Sequence, residues 1–115
     1  MTDMSGFYAA FITGVDSEGL VLFVAYDGKI VGTDPSKVLF DGTYYIDGNG
    51  NLVGQVTVSA PPNGTLVQGV STGPSGVKYE TSFVIPVDFE DRDYIRIDTP
   101  LGPVNAKFSK LRDYA

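Results

Sequence analysis

Between Asp27 and Leu52 the chain must reverse direction every few residues, and this spacing limits its fold more than any other feature. Asp27-Gly28 and Asp47-Gly48-Asn49-Gly50-Asn51 are residue pairs and runs that tolerate the positive φ of tight hairpins. Gly42-Thr43-Tyr44 adds a further interruption. The runs between are short and rich in β-branched and aromatic residues, the composition of strands. Three strands joined by two such turns make an antiparallel meander, on which the rest of the chain can be hung.

The remaining segments repeat the pattern. Gly6 to Thr13 and Gly19 to Tyr26 are apolar at nearly every position, the first carrying Tyr8, Ala10 and Ile12 on one face and Phe7, Ala9 and Phe11 on the other. Leu52 to Ala60 alternates as a half-buried strand does. Val77 to Pro86 puts Val77, Tyr79, Phe83 and Ile85 inward and Lys78, Glu80 and Ser82 outward. Tyr94 to Thr99 and a last strand with Val104, Ala106 and Phe108 inward complete the set. Thr65 to Val70 reads as a weak further strand, and Asp34-Pro35-Ser36 as a single helical turn, with aspartate capping and proline first. Eight or nine evenly spaced strands with at most a short helical turn predict an all-β fold. The expected form is an antiparallel up-and-down barrel spanning residues 1–115 as one domain. Closure removes the open edges that a meander otherwise leaves.

Two neighbouring strands without a polar face pose a separate problem. A sheet that is apolar on both sides cannot meet water on either. A barrel of 115 residues has no second layer to spare, so a second copy of the chain is the expected cover. Leu22, Phe23 and Val24 are assigned to that homodimer interface, with the choice of face left open.

Charge and missing residue types narrow the chemistry. Eight Lys and Arg against 14 Asp and Glu give a net charge of −6. Phosphate-rich nucleic acid and anionic membrane surfaces are disfavoured partners, whereas a basic protein partner gains from complementarity. The acidic run Asp88, Glu90, Asp91 and Asp93 is the natural candidate surface for it. The chain has no His and no Cys, which removes imidazole bases, thiol nucleophiles and the usual zinc ligands. Paired-carboxylate hydrolysis stays chemically open, but no pair stands out. The Asp47 run resembles a calcium loop only superficially, because Leu52 and Val58 occupy the positions of its glycine and bidentate glutamate. Gly69 to Lys78 lacks the Gly-Lys-Ser/Thr ending of a phosphate cradle. No catalytic residue, metal or cofactor is assigned. With no cysteine, no basic leader and no apolar run near ~20 residues, a cytoplasmic, non-membrane protein is expected.

The interior remains. An eight-stranded barrel is just wide enough for side chains to fill or for one small ligand. Tyr8, Tyr44, Tyr79, Phe83 and Phe108 either plug it or line an apolar pocket with a few hydroxyl groups. A non-enzymatic binding protein follows, acting through a protein partner or, alternatively, as carrier or sensor of a small apolar ligand.

Gly6-Phe7-Tyr8, Gly32-Thr33-Asp34, Gly42-Thr43-Tyr44 and Leu101-Gly102-Pro103-Val104 running on to Leu111 resemble the GrlR family, over nearly the whole chain. That family includes a bacterial negative regulator of type III secretion gene expression. The resemblance implies a lipocalin-like eight-stranded barrel, a homodimer and an apolar cavity. It also implies regulation by binding a transcriptional activator instead of DNA. The family's regulator contacts its partner through an exposed run of four alternating Glu and Asp residues. Here the nearest run, Asp88 to Asp93, is interrupted by Phe89 and Arg92 and lies elsewhere in the chain.

Overall fold

Eight antiparallel strands form one sheet that curls into a nearly closed barrel. The structure is a computed structural model and describes residues 4–15 and 17–115. The strands are β1 (Gly6–Thr13), β2 (Glu18–Tyr26), β3 (Lys29–Thr33), β4 (Leu39–Ile46), β5 (Asn51–Ala60), β6 (Val77–Pro86), β7 (Ile95–Thr99) and β8 (Gly102–Asp113). Their order in the sheet is β6-β5-β4-β3-β2-β1-β8-β7. First and last strands are thus partners, from Gly6 opposite Asp113 to Thr13 opposite Asn105. Leu111 is the extra residue of a bulge, because Phe7 faces Arg112 while Tyr8 faces Lys110.

The turns work as their residues require. Asp27 and Gly28 both hold positive φ, 51° and 76°, and so make the tight β2–β3 hairpin that matches the twist of the strands it joins. Asp47 Oδ1 accepts hydrogen bonds from the amides of Asn49 and Asn51, each at 2.9 Å, which fixes the β4–β5 turn. Those bonds, led by the one from Asn51, hold the exposed Asp47 carboxyl below its ordinary pKa. Glycine also lets the wall bend inward. At Gly54 a β-carbon would stand 2.5 Å from both Phe83 Cζ and Thr43 O, so only glycine lets the Phe83 ring fold across β5.

Four expectations are corrected. Gly42-Thr43-Tyr44 lies inside β4 and interrupts nothing. Asp34 to Val38 is not helical: Asp34 Oδ1 accepts the amides of Ser36 at 2.9 Å and Val38 at 3.0 Å, closing a side-chain-braced turn that substitutes for a helix start. Residues 65–70 form no strand and hence no ninth one. Leu66 N–H donates to Val70 O and Gly69 N–H to Leu66 O, so the segment coils on itself and folds over one end of the barrel. The short helix lies instead at Phe89–Asp91, a 3-10 turn within the acidic run.

That turn explains where the barrel stays open. A tight hairpin after β6 would lay β7 against it. The chain instead crosses the barrel end, burying Phe89 between Tyr8 and Phe108 at ring distances of 6.0 and 5.1 Å. β6 and β7 then run side by side with no hydrogen-bonded ladder. Ser82, Arg96 and Asp98 lie along a small cleft of about 180 Å3 between them. Among the described residues no helix is long and apolar enough to cross a membrane.

Candidate functional site

Strand alternation sends one row of each strand inward, and these rows do not meet at the centre. They leave a cavity of about 580 Å3 that runs the length of the barrel. This size falls in the ordinary range for small-molecule sites. Tyr8, Tyr44, Tyr79, Phe83 and Phe108 all line it, as their parity requires. The structure therefore brings together the five residues expected to plug or line the interior.

The two ends of the cavity differ. At one end Tyr8 stacks on Phe23 with ring centroids 5.1 Å apart and planes within 5°. Phe108 meets Phe23 and Phe89 edge-on, at 6.2 and 5.1 Å. Such offset and edge-to-face pairs are the favoured aromatic geometries. Tyr8 is 2% exposed, and its hydroxyl donates to Met4 O at 2.8 Å, so its polar tip does not face the cavity unsatisfied.

The other end is built from Val38, Val58, Ala60 and Leu66, with one polar corner. Gln68 Nε2 donates to Tyr79 Oη at 3.0 Å and to Thr99 Oγ1 at 3.2 Å. Thr99 Oγ1 itself donates to Gly102 O at 2.6 Å, so its proton is committed and it can only accept from Gln68. This orients the amide: nitrogen toward the two oxygens, Oε1 away from them. Burial pushes the Tyr79 phenol above its ordinary pKa, against a smaller downward pull from the Gln68 bond. The phenol is therefore a neutral donor throughout the physiological range. Between the ends, Thr81 lines the wall at 4% exposure, and its hydroxyl has no hydrogen-bond partner among the described residues.

Charge is distributed unevenly around this space. Glu18 and Asp34 lie at its loop-bearing end, and no Lys or Arg lines it among the described residues. The corner can therefore accept or donate hydrogen bonds to a neutral group but offers no counter-ion to an anion. Among the described residues no cluster of three or more carboxylates is placed to hold a metal ion.

The residues assigned to a dimer divide between two surfaces. Phe23 points inward, against Tyr8 and Phe108, so it cannot share an outer interface with Leu22 and Val24. A strand places successive side chains on opposite faces, and a barrel turns one of them inward. On the outside, Phe7, Val24 and Val31 stand in register across β1, β2 and β3. Phe11, Leu22 and Val31 are 54%, 48% and 59% exposed, and they make an apolar stripe on the outer wall. Tyr114 stacks on Tyr26 at 4.1 Å and on Phe7 at 6.1 Å, covering one end of that stripe.

The acidic run is partly spent within the chain. Asp88 pairs with Arg92 at 3.1 Å, and Glu90 accepts the Lys110 amide. Asp91 and Asp93 remain exposed, and no ion pair to either occurs among the described residues. Sequence reasoning passed over Thr81, Gln68, Thr99 and Phe89. Thr81 was legible, since it stands between inward Tyr79 and Phe83. Phe89 was signalled by a lone aromatic in an acidic run. Gln68 carried no local signal, because a glycine-flanked loop has no periodicity to read. Comparison with protein-family models, with curated proteins and with solved structures found no match.

Proposed function

We propose that this chain is a non-enzymatic binding protein that encloses a small apolar ligand inside its barrel. The cavity of about 580 Å3, walled by apolar and aromatic side chains with a few neutral polar groups, carries this reading. An empty apolar space of that size loses the dispersion contacts a packed core would have, and a ligand restores them. The chain's lack of His and Cys agrees with a binding role.

A second reading rests on a separate observation, the outer stripe of Phe7, Phe11, Leu22, Val24 and Val31. An apolar surface of this kind suits a second copy of the chain. In the regulatory role that the GrlR-like resemblance implies, it would bring two barrels together for contact with a protein partner.

Native mass spectrometry of freshly purified protein tests both readings. The first predicts a co-purifying neutral mass of lipid size, lost in Val56→Trp, which fills the cavity from its wall while circular dichroism keeps the strand signature. Protein free of any such mass, and unable to take up an apolar dye, would overturn it. The second predicts a dimer at micromolar concentration that Leu22→Asp converts to monomer. A strict monomer in the unaltered protein would remove it.

A further inference from the structure

We infer that the cavity selects neutral ligands, an apolar body carrying one hydroxyl or carbonyl oxygen, over fatty acids and other apolar anions. This deepens the proposed ligand-binding role and rests on it. The hydrogen bonds of the polar corner set this preference. Gln68 Nε2 spends both protons, on Tyr79 and on Thr99. Tyr79 Oη accepts one of them, and its own proton has no acceptor among the described residues. Gln68 Oε1 likewise has no donor among the described residues, and Thr81 adds an unpartnered hydroxyl on the neighbouring wall. The Tyr79 proton is thus an uncommitted donor among lining residues that are mostly apolar, a group matched by the oxygen of an alcohol or of a carbonyl.

Charge decides against the commonest apolar ligand, a long-chain carboxylate. Moving a carboxylate out of water is strongly unfavourable unless a cation or several donors receive it. The lining holds no Lys or Arg among the described residues, while Glu18 and Asp34 place negative charge at the same end. The net charge of −6 repels an approaching anion further. An alcohol meets none of these penalties and gains the Tyr79 bond.

The test uses the full chain and a neutral fluorescent probe, N-phenyl-1-naphthylamine, displaced by dodecanol or by dodecanoate at pH 8. Dodecanol should displace the probe at least tenfold more effectively than dodecanoate. Tyr79→Phe keeps the ring and removes the donor. It should weaken dodecanol by roughly two- to tenfold, the worth of one hydrogen bond. Equal displacement by the two ligands, or a stronger effect of dodecanoate, overturns the selectivity while leaving the cavity role intact. Probe that never enters the unaltered protein overturns both. A Tyr79→Phe variant that binds dodecanol as tightly as the unaltered chain removes the corner from the account.

Discussion

The two ends of the barrel are made of different materials. One is closed by rings packed on rings: Tyr8 on Phe23, Phe108 edge-on to both Phe23 and Phe89. The other is closed by a coiled loop carrying Leu66 and Gln68, with aliphatic side chains and a polar corner beneath it. Rings that bury large areas and hold fixed geometry give stability. A loop that satisfies its own amides, as Leu66 and Gly69 do, can shift without breaking a ladder. The contrast teaches that packing and polarity occupy opposite ends: the aromatic end holds the barrel together, and the loop end carries the polar corner on which the proposed ligand binding rests.

The contrast can be broken by substitution. Phe89→Ala removes the ring that joins Tyr8 to Phe108, and should destabilise the protein by about 3 to 5 kcal/mol in urea unfolding. At the opposite end Gln68→Ala deletes two neutral hydrogen bonds, and about 1 to 2 kcal/mol is expected in the same assay. If the second variant were as damaging as the first, the loop end would be structural too and the division would fall.

The smallest effect sharpens the picture through pH. Burial raises the folded Tyr79 pKa above its unfolded value near 10. The neutral phenol's contribution to stability is therefore complete below that unfolded value and is lost as pH rises through the folded pKa. Tyr79→Phe carries no ionisable group there, so its stability should fall less steeply than the unaltered protein's above about pH 10. Parallel curves from pH 8 to 11 would mean that the phenol is solvated and the corner open to water.

The outer wall offers a further lesson about what local pattern can carry. That β1 and β2 are apolar on both faces was plain in Gly6–Thr13 and Gly19–Tyr26. Which of two neighbours, Leu22 or Phe23, faces outward depends on how the sheet curls, and that is not written in either strand. A uniformly apolar strand gives no polar mark to show its outer side. Where a polar mark exists, as at Lys78, Glu80 and Ser82, the inward row of Tyr79, Phe83 and Ile85 was readable directly. Thr81 belongs to that row by the same alternation. The Asp34 turn was misjudged because an aspartate that caps a helix and one that braces a loop accept the same backbone amides.

The sequence by itself determined the local parts: positive-φ turns at Asp27-Gly28 and around Gly50, and strands whose alternation names their inward side chains. Those are decided by steric rules and periodicity within a few residues of chain. Only the tertiary structure decided that β1 joins β8, that Phe89 crosses the barrel end and leaves β6 unpaired from β7, and that the inward rows stop short of filling the space they enclose. Each of these depends on distances between residues far apart in the chain, and on the sum of volumes around a closed wall, quantities no single segment contains.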